Sequence, residues 1–336
     1  MKIGIYGSGS WGTALAMTLA AKGREIYLWS NDAKEAEKIR HTRRLPHKLP
    51  DIVVPDSIAV TDDDGPFIEE AEMLAIAVPS KFLKSFAQQH AQRIAGQSKL
   101  VVSATKGLES GTLATMSEIL EEVWKDRPIQ GVVALSGPSH AEEVARGLPT
   151  AVVAAHSEES LAKEAQKIFQ TSHFRVYTNR DRKGVEIGAA LKNIIAIAVG
   201  ISDGLGFGDN ARAALISRGL YEMSLAAREM GAQPETFSGL SGLGDLVVTC
   251  TSRHSRNRKF GELTAKGYSV EDAEEEIGMV VEGLSTVKAI PDIKKKFNVE
   301  LPISEEVFKI VYENANPKRA VERLMLRELK SERLPR

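Results

Sequence analysis

The stretch Gly7-Ser8-Gly9-Ser10-Trp11-Gly12 decides the fold of this chain. It follows an apolar run at Ile3–Tyr6 that predicts a strand, and it leads into an Ala-rich helical pattern at Thr13–Ala21. In a G-x-G-x-x-G turn, the first glycine permits the tight turn, the second lets the backbone approach a pyrophosphate, and the third lets helix and strand pack closely. The helix start would offer N–H groups to the phosphates. The cofactor-binding residues predicted here are Gly7, Gly9, Ser10, Trp11 and Gly12.

Short apolar runs alternate with helical patterns along the first half of the chain. The predicted strands are Ile3–Tyr6, Glu25–Trp29, Ser57–Thr61, Met73–Val78, Leu100–Ala104, Val132–Leu135 and Ala151–Ala154. Several are continuously apolar, which is typical of parallel strands covered by helices on both faces. Helical patterns such as Ala33–Arg40 and Thr112–Val123 lie between most of them. The alternation predicts a mostly parallel, doubly wound α/β sheet of the Rossmann type.

The pattern changes near Asp181, and almost every later segment predicts a helix. The predicted helices are Arg182–Val199, Ala211–Met230, Asn257–Ala265, Val270–Ile277, Ser285–Lys295, Ser304–Tyr312 and Pro317–Leu324. Breaks rich in glycine, such as Gly239–Gly244, separate them. We therefore predict a dinucleotide-binding domain over residues 1–181 and an all-helical substrate and catalytic domain over residues 182–336.

Length and composition exclude several classes of protein. The 336 residues are too many for one ordinary core, and 43% hydrophobic with 26% charged residues is a globular composition. A net charge of −1 gives no field to attract nucleic acid or an anionic membrane. The longest apolar run, Ile194–Ile201, is too short for a membrane span, and the histidines show no metal-ligand spacing. With one cysteine, Cys250, and no visible signal peptide, we predict a cytoplasmic protein without a metal, membrane span or nucleic-acid partner.

The end of the second strand bears on the choice between NADH and NADPH. Sites specific for NAD usually carry an acid about 20 residues after the glycines, where it binds the ribose 2′-hydroxyl. Here Ser30 and Asn31 are neutral donors that could bind a 2′-phosphate, and Asp32 comes slightly late. No acid that would repel NADPH is evident, so the sequence favours NADPH with NADH tolerated.

Lys192 is the single charged residue in an otherwise apolar helical segment, Ala189–Ala198. Such a segment should be buried, and an unpaired buried ammonium is costly. Desolvation would lower the pKa of Lys192 toward the range useful for proton transfer. The alternative is a lysine that snorkels to the surface from the helix end, and composition alone favours neither.

Ser255-Arg256-Asn257 bring a hydroxyl, a guanidinium and an amide together where a helix is predicted to begin. This arrangement suits a phosphate dianion. The alternative is a solvated basic face or a small RNA-binding patch that includes Arg253, Arg258 and Lys259. No aromatic residue is interleaved to stack bases, so the sequence favours the phosphate.

Seven ordered motifs make the chain resemble the bacterial NAD(P)-dependent glycerol-3-phosphate dehydrogenases over nearly its whole length. The motifs are Gly7–Ala14, Ala77–Ser80, Thr105–Glu109, Leu135–Ser139, Leu191–Asn193, Gly239–Leu246 and Ser255–Arg258. Together they are far more specific than any one of them. The resemblance implies reversible hydride transfer between NAD(P)H and dihydroxyacetone phosphate, giving sn-glycerol 3-phosphate for phospholipid synthesis, and a homodimer formed through the helical domain.

The resemblance also implies roles for individual residues. It makes Lys192 the general acid/base, Lys106 a second lysine where nicotinamide and substrate meet, and Asp245 an acid that contacts substrate and could hold Lys192. Capping of the next segment is an alternative role for Asp245. The other implied substrate contacts are Gly137, Ser139, Ser255, Arg256 and Asn257, and the implied cofactor contacts include Lys106, Ala141, Arg256, Val280 and Glu282.

The chain departs from the family beyond the second strand. Many members carry an arginine where this chain has Asn31, which we still predict as a cofactor contact. The segment His41–Lys48 is idiosyncratic, and Lys48 is counted there as a candidate cofactor contact.

Two other functions are open. A β-hydroxyacid or 6-phosphogluconate type dehydrogenase shares the two-domain plan, but Ser255–Asn257 and Gly242–Asp245 argue against it. A non-catalytic NADPH sensor predicts a degraded acid/base site, whereas Lys192, Lys106 and Asp245 are all present.

Overall fold

A computed structural model of the chain describes residues 1–329, 331 and 332. The strands within these residues are β1 (Lys2–Tyr6), β2 (Glu25–Trp29), β3 (Arg44–Leu45), β4 (Leu49–Val53), β5 (Ile58–Thr61), β6 (Met73–Ile76), β7 (Lys99–Ser103), β8 (Ile129–Ser136), β9 (Thr150–Ala155) and β10 (Phe174–Asn179). The helices between them are α1 (Ser10–Ala20), α2 (Ala33–Thr42), α3 (Gly65–Ile68), α4 (Ser80–His90), α5 (Met116–Val123), α6 (Ala141–Ala145) and α7 (Glu159–Phe169). Residues 330 and 333–336, which belong to the predicted second domain, lie outside the described residues.

The later elements are all helical. They are α8 (Arg182–Gly204), α9 (Asp209–Glu229), α10 (Asp245–Thr251), α11 (Arg256–Ala265), α12 (Val270–Ile277), α13 (Glu282–Lys288), α14 (Ile290–Phe297), α15 (Pro302–Tyr312) and α16 (Pro317–Met325). A sheet followed by a helical region confirms the predicted fold class.

Eight strands form one sheet in the order β10-β9-β8-β7-β6-β1-β2-β5. Neighbouring strands are parallel except β8 and β9, which pair antiparallel. From β1 the chain adds β2 and β5 on one side and returns to β6 on the other, so the topology switches between β1 and β6. In open α/β sheets, ligands bind in the crevice outside the carboxyl ends of the strands at such a point. The sheet therefore locates a candidate site beyond Tyr6 and Ile76.

Every predicted strand is present, with ends that move by a few residues, but two strand features were missed. The edge strand β10 alternates buried and exposed residues and lacks a continuous apolar run. The hairpin of β3 and β4 lies in the segment Arg44–Val53, which is polar and contains two prolines. β10 forms by pairing with β9, and the β3–β4 hairpin contains a register shift, so neither feature shows a local apolar pattern.

Three helix predictions need correction. The predicted helix Ser285–Lys295 is divided into α13 and α14, because Pro291 cannot donate a helical hydrogen bond and instead occupies the first turn of α14. The expected break Gly239–Gly244 contains a π-helical turn that runs directly into α10, which was missed. Helix α5 begins at Met116 rather than Thr112, because Thr115 and Glu118 form a capping box.

Helix α8 is the core of the helical half, and its residues from Gly184 to Ser202 are all buried. Within the described part of the chain it is the one helix long and apolar enough to cross a membrane, and its apolar window is entirely buried inside the fold. The helix begins at Arg182 as predicted and ends at Gly204 rather than Val199. A core helix of a globular fold has the same length and composition.

Glycines let α11 approach α8 very closely. A Cβ added at Gly200 of α8 would lie 1.9 Å from the backbone oxygen of Arg258, and one added at Gly261 of α11 would lie 2.2 Å from that of Ile197. Since no real Cβ tolerates such distances, both positions require glycine. This close crossing brings the start of α11 beside the middle of α8, where Lys192 lies.

Candidate active site

A cleft of about 760 Å³ lies at the carboxyl edge of the sheet, against the helical half. The loops after β1, β6, β7 and β8 line one side, and α8, α10, the start of α11 and the segment before α13 line the other. The predicted site residues in its lining are Gly7, Gly9, Ser10, Trp11, Asn31, Lys48, Lys106, Ser139, Ala141, Lys192, Asp245, Ser255, Arg256, Asn257, Val280 and Glu282. Two predicted residues, Gly12 and Gly137, are not part of the lining.

The glycine turn has the shape that a dinucleotide requires. Gly7 has a φ of +114° and makes the turn at the cleft, and a Cβ at Gly12 would lie 1.9 Å from the Gly7 carbonyl oxygen, so Gly12 allows the close packing behind the turn. A Cβ at Gly9 would meet no atom of the described residues within 4 Å, so the backbone there borders open cleft space. No described side chain caps α1 at Gly9. An exposed backbone and an uncapped helix start fit a pyrophosphate.

Asp245 lies between two lysines that come from the two halves of the chain. Its Oδ1 is 2.9 Å from Lys192 Nζ, and its Oδ2 is 2.9 Å from Lys106 Nζ. Lys106 follows β7 at the sheet edge, whereas Lys192 lies in α8 and Asp245 begins α10. Lys192 and Asp245 are only 5% and 2% exposed. Lys106 therefore adds a third charge to the buried Lys192–Asp245 pair, and it lies nearer the cleft because it is less buried.

The environment of this cluster shifts both buried groups. Burial lowers the pKa of Lys192 to about 8, with Asp245 opposing the shift and Lys106 adding to it. Burial would raise the pKa of Asp245, but the positive charges of Lys106 and Lys192 outweigh it, so the pKa lies below its usual range. Asp245 is thus ionised at neutral pH while Lys192 can exchange a proton near pH 8.

The structure decides two alternatives that the residues had left open. Lys192 is buried and bonded to Thr249 Oγ1 at 2.6 Å, so it does not snorkel to the surface. Asp245 makes no capping bond, and Gly244 is the N-cap of α10. Thr249 was missed because α10 was missed. Once that helix is known, its position four residues after Asp245 puts both on one face.

The residues of the phosphate triplet lie side by side, but their polar groups already have partners. Ser255 caps α11 by accepting a bond from Arg258 N at 3.3 Å. Asn257 donates to Asn193 Oδ1 at 3.0 Å, which ties α11 to α8 beside Lys192. Arg256 donates to the carbonyl oxygen of Val280 at 2.8 Å. The cleft therefore holds one guanidinium at the start of a helix, a favourable place for an anion.

Arg258 does not belong to a solvated basic face. Its guanidinium is 2.7 Å from Asp203 and 2.9 Å from Glu262, and it is turned into the protein. Arg258 is therefore not available to a solvated basic face or an RNA-binding patch, because its charge is paired with Asp203 and Glu262.

An acid that was not evident from the sequence, Glu35, lies at the end of β2. Ser30 is fully buried, and its hydroxyl donates to the Glu35 carboxylate at 3.1 Å, so it cannot serve a 2′-phosphate. Glu35 lines the cleft and is 2.5 Å from Lys48 Nζ. Asp32 caps α2 by accepting bonds from Lys34 N and Glu35 N, and the first turn of that helix returns Glu35 to the strand end. The sequence spacing concealed this because Glu35 lies six residues after the end of β2, and only the first turn of α2 brings it close to that end.

Gly137, implied to bind substrate, has a packing role in the structure. Its φ is +144°, and a Cβ there would lie 2.9 Å from the Cα of Val152 in β9. Ser139, which does line the cleft, donates to the Gly137 carbonyl oxygen at 2.9 Å. Gly137 thus shapes the loop that presents Ser139.

Two further cleft residues are Glu282, which joins the two halves of the chain, and His140, which is neutral. Glu282 accepts a bond from Ser80 Oγ at 2.6 Å, which links α13 to the start of α4. His140 lines the cleft, and burial, followed by the nearby charge of Lys192, lowers its pKa to about 4, so it is neutral. Within residues 1–329, 331 and 332, no group of three or more His, Cys, Asp or Glu side chains could hold a metal ion.

A Rossmann-type sheet with a glycine turn at its switch point, and a buried lysine in the adjoining cleft, define a dehydrogenase that uses a nicotinamide dinucleotide. The family model described as the NAD-dependent glycerol-3-phosphate dehydrogenase N-terminus matches residues 2–162, and the C-terminus model matches residues 181–322. The chain belongs to the NAD-dependent glycerol-3-phosphate dehydrogenase family.

Individual relatives agree over nearly the full length. The chain is 47% identical to a glycerol-3-phosphate dehydrogenase (NAD(P)+) of Fusobacterium nucleatum, covering 99% of this chain and 98% of that protein. It is 44% identical to one from Salinibacter ruber, with 98% and 96% covered. The crystal structure of glycerol-3-phosphate dehydrogenase from Coxiella burnetii superimposes with a TM-score of 0.92 at 37% identity, covering 97% of this chain and 99% of that one.

Proposed function

We propose that this protein interconverts dihydroxyacetone phosphate and sn-glycerol 3-phosphate with NADH or NADPH. The observation that carries the proposal is the Lys106–Asp245–Lys192 cluster, which lies in one cleft with the glycine turn and the start of α11. A three-carbon phosphate ester needs a proton donor for its carbonyl and an anion site a few ångströms away. The cleft offers both.

Lys192 is the proposed general acid. A nicotinamide bound in the cleft would supply the hydride for C2 of the substrate in the reduction and accept it in the oxidation. As C2 receives that hydride, the Lys192 ammonium gives a proton to the carbonyl oxygen, and the alcohol is formed. In the oxidation, neutral Lys192 takes that proton back. A pKa of about 8 suits a group that must act in both directions near neutral pH.

Asp245 and Lys106 are proposed to position and tune that lysine. Asp245 holds Lys192 Nζ through Oδ1, and its charge favours the ammonium form that reduction needs. Lys106, less buried, faces the cleft and would contact substrate and nicotinamide together. Neither Asp245 nor Lys106 gains or loses a proton in the proposed reaction.

The substrate phosphate is proposed to lie at the start of α11. Ser255, Arg256 and Asn257 come together there, and Arg256 carries the positive charge. The helix end adds positive potential. Ser139, and Gly137 behind it, would form the opposite wall.

The cofactor is proposed to extend from the turn toward α13. Its pyrophosphate would lie against Gly7–Gly12 and its adenosine end near Asn31 and Lys48. The nicotinamide end would reach the lysine cluster. The further contacts proposed there are Lys106, Ala141, Arg256, Val280 and Glu282.

The test is the absorbance decay of NADH and of NADPH, measured in parallel with dihydroxyacetone phosphate as substrate. Oxidation that depends on the triose phosphate supports the proposal. Turnover of β-hydroxyacids or 6-phosphogluconate without the triose phosphate would favour the other dehydrogenase class. Binding of a cofactor without turnover of any of these would favour the sensor.

Several finer expectations accompany this function. We propose that the product feeds phospholipid synthesis, that the enzyme is cytoplasmic, and that it works without a metal. A homodimer through the helical half is supported by an apolar groove of about 720 Å³ between α9, α15 and α16, and light scattering would test it. The change from strands to helices between β10 and α8 supports a domain boundary at Asp181.

A further inference from the structure

Glu35 is the one acid that faces the cleft at the carboxyl end of β2 among the residues that line it there. Its Oε2 accepts bonds from Ser8 Oγ at 2.6 Å and Ser30 Oγ at 3.1 Å, and its Oε1 is 2.5 Å from Lys48 Nζ. Ser8 and Ser30 are buried, whereas the Glu35 side chain is 25% exposed. The two hydroxyls thus fix the carboxylate from beneath, and its remaining surface faces the cleft.

The carboxylate keeps its charge in this position. Burial would raise the pKa of Glu35, but the bonds from Lys48, Ser8 and Ser30 outweigh it and hold the pKa below its usual range. Ser8 belongs to the glycine turn and Ser30 to the end of β2, so the acid lies where these two elements meet. An acid in that place accepts a hydrogen bond from the adenosine ribose in NAD-specific sites.

Lys48, the lysine beside Glu35 in the cleft lining, already has an opposite charge as its partner. Lys48 is paired with Glu35, so the pair is neutral as a unit. The other lysines and arginines in the cleft lining are Lys106 and Lys192, which hold Asp245, and Arg256, which is proposed to bind the substrate phosphate. A phosphate could recruit Lys48 only by taking it from a half-buried carboxylate, which would then lie unpaired beside the new negative charge.

We infer that Glu35 is a specificity-determining residue of the cofactor site: it accepts a bond from the ribose 2′-hydroxyl of NADH and disfavours the 2′-phosphate of NADPH. This inference rests on the proposed cofactor site. It identifies the acid that the sequence around Ser30 and Asn31 did not reveal. Lys48 moderates the repulsion, so NADPH is disfavoured rather than excluded.

The test compares cofactor binding without substrate. NADH and NADPH are titrated separately, with the quenching of tryptophan fluorescence as the readout, since Trp11 lines the cleft. In Glu35→Gln, which keeps the shape and removes the charge, the ratio of Kd for NADPH to Kd for NADH should fall by about tenfold relative to wild type, or 1.4 kcal/mol. Glu35→Ala should shift the ratio in the same direction. The matched control is Glu37→Gln, which removes an equal charge from the exposed side of α2 and should leave the ratio within about twofold.

The outcomes are separable from those of the proposed function. An unchanged ratio in both Glu35 variants, each still binding NADH, would overturn the inference, and so would a wild type that binds neither nucleotide. A wild type that binds both, responds to Glu35→Gln as expected and yet does not turn over dihydroxyacetone phosphate would leave the inference standing while the proposed substrate fails.

Discussion

Removing the charge of Asp245 should move the pH dependence of the reduction. In Asp245→Asn, Lys192 loses an opposite charge 2.9 Å away, while the repulsion from Lys106 remains. Two unit charges at about 4 Å interact by about 4 kcal/mol at an effective dielectric constant of about 20. At about 1.4 kcal/mol per pH unit this is about three pH units, and water entry with hydrogen bonding to the new amide reduces it.

We therefore expect the pKa of Lys192 to fall by at least about one pH unit from its value of about 8. Reduction needs the ammonium form, so kcat/KM for dihydroxyacetone phosphate should decline through that pKa as pH rises. In wild type the decline should lie near pH 8, and in Asp245→Asn near or below pH 7. The assay is NADH oxidation at limiting dihydroxyacetone phosphate across pH 6 to 10.

Asp126→Asn serves as the control. It removes an exposed carboxylate that is far from Asp245 in the sequence, and it should not change the pH at which kcat/KM declines. If the decline in Asp245→Asn stays near pH 8 while the variant remains folded, the coupling between the two residues is refuted. If wild type shows no decline of kcat/KM between pH 6 and 10, Lys192 is not the titrating acid.

Three further variants test the site and its scaffold. Lys192→Met should lower kcat by a factor of about 10² to 10⁴, the usual contribution of a general acid, while fluorescence titration gives an NADH Kd near that of wild type; undiminished turnover would remove Lys192 from the mechanism. Gly261→Ala should force α11 away from α8 and lower the urea-determined free energy of unfolding by about 1–3 kcal/mol, whereas Gly208→Ala, with open space around the new methyl group, should change it little. Glu222 bonds to Ile303 N and Ser304 N at the start of α15, and burial raises its pKa to about 7. Its folded pKa exceeds its unfolded value, so the associated stability is present below about pH 4.5 and is lost as pH rises through 7; Glu222→Gln should remove a slope on the order of 2 kcal/mol between pH 5 and 7.5, and equal slopes in both proteins would contradict this.

Local patterns in the sequence predicted the architecture well. Continuous apolar runs identified the parallel strands, and the helical period identified most of the later helices. The turn Gly7–Gly12 was located because the spacing of its glycines, between an apolar run and a helical pattern, is itself a local sequence signal. Features whose pattern is weak or interrupted, such as β10 and the helix break at Pro291, were missed or misplaced.

The candidate site was predicted in part. The isolated lysine in an apolar helix drew attention to Lys192 because burial of a charge is costly, but it left burial and snorkelling equally open, and the role of proton donor was implied by the family resemblance. That Asp245 is held between Lys192 and Lys106, instead of capping α10, depends on how α8, α10 and the β7 edge meet. Proximity in space between residues far apart in the sequence cannot be read from periodicity.

The sequence by itself thus determined the dinucleotide turn and the sheet-then-helix order, since both follow from patterns within a few residues, and its motifs identified Lys192 as the candidate proton donor through the family resemblance. The tertiary structure alone decided that Glu35 returns to the end of β2 and pairs with Lys48, and that Gly137 supports a loop from behind. It also decided how far Lys192 is shifted from its ordinary pKa. The physical reason is that charge, desolvation and steric contact act through space, and only the folded chain sets those distances.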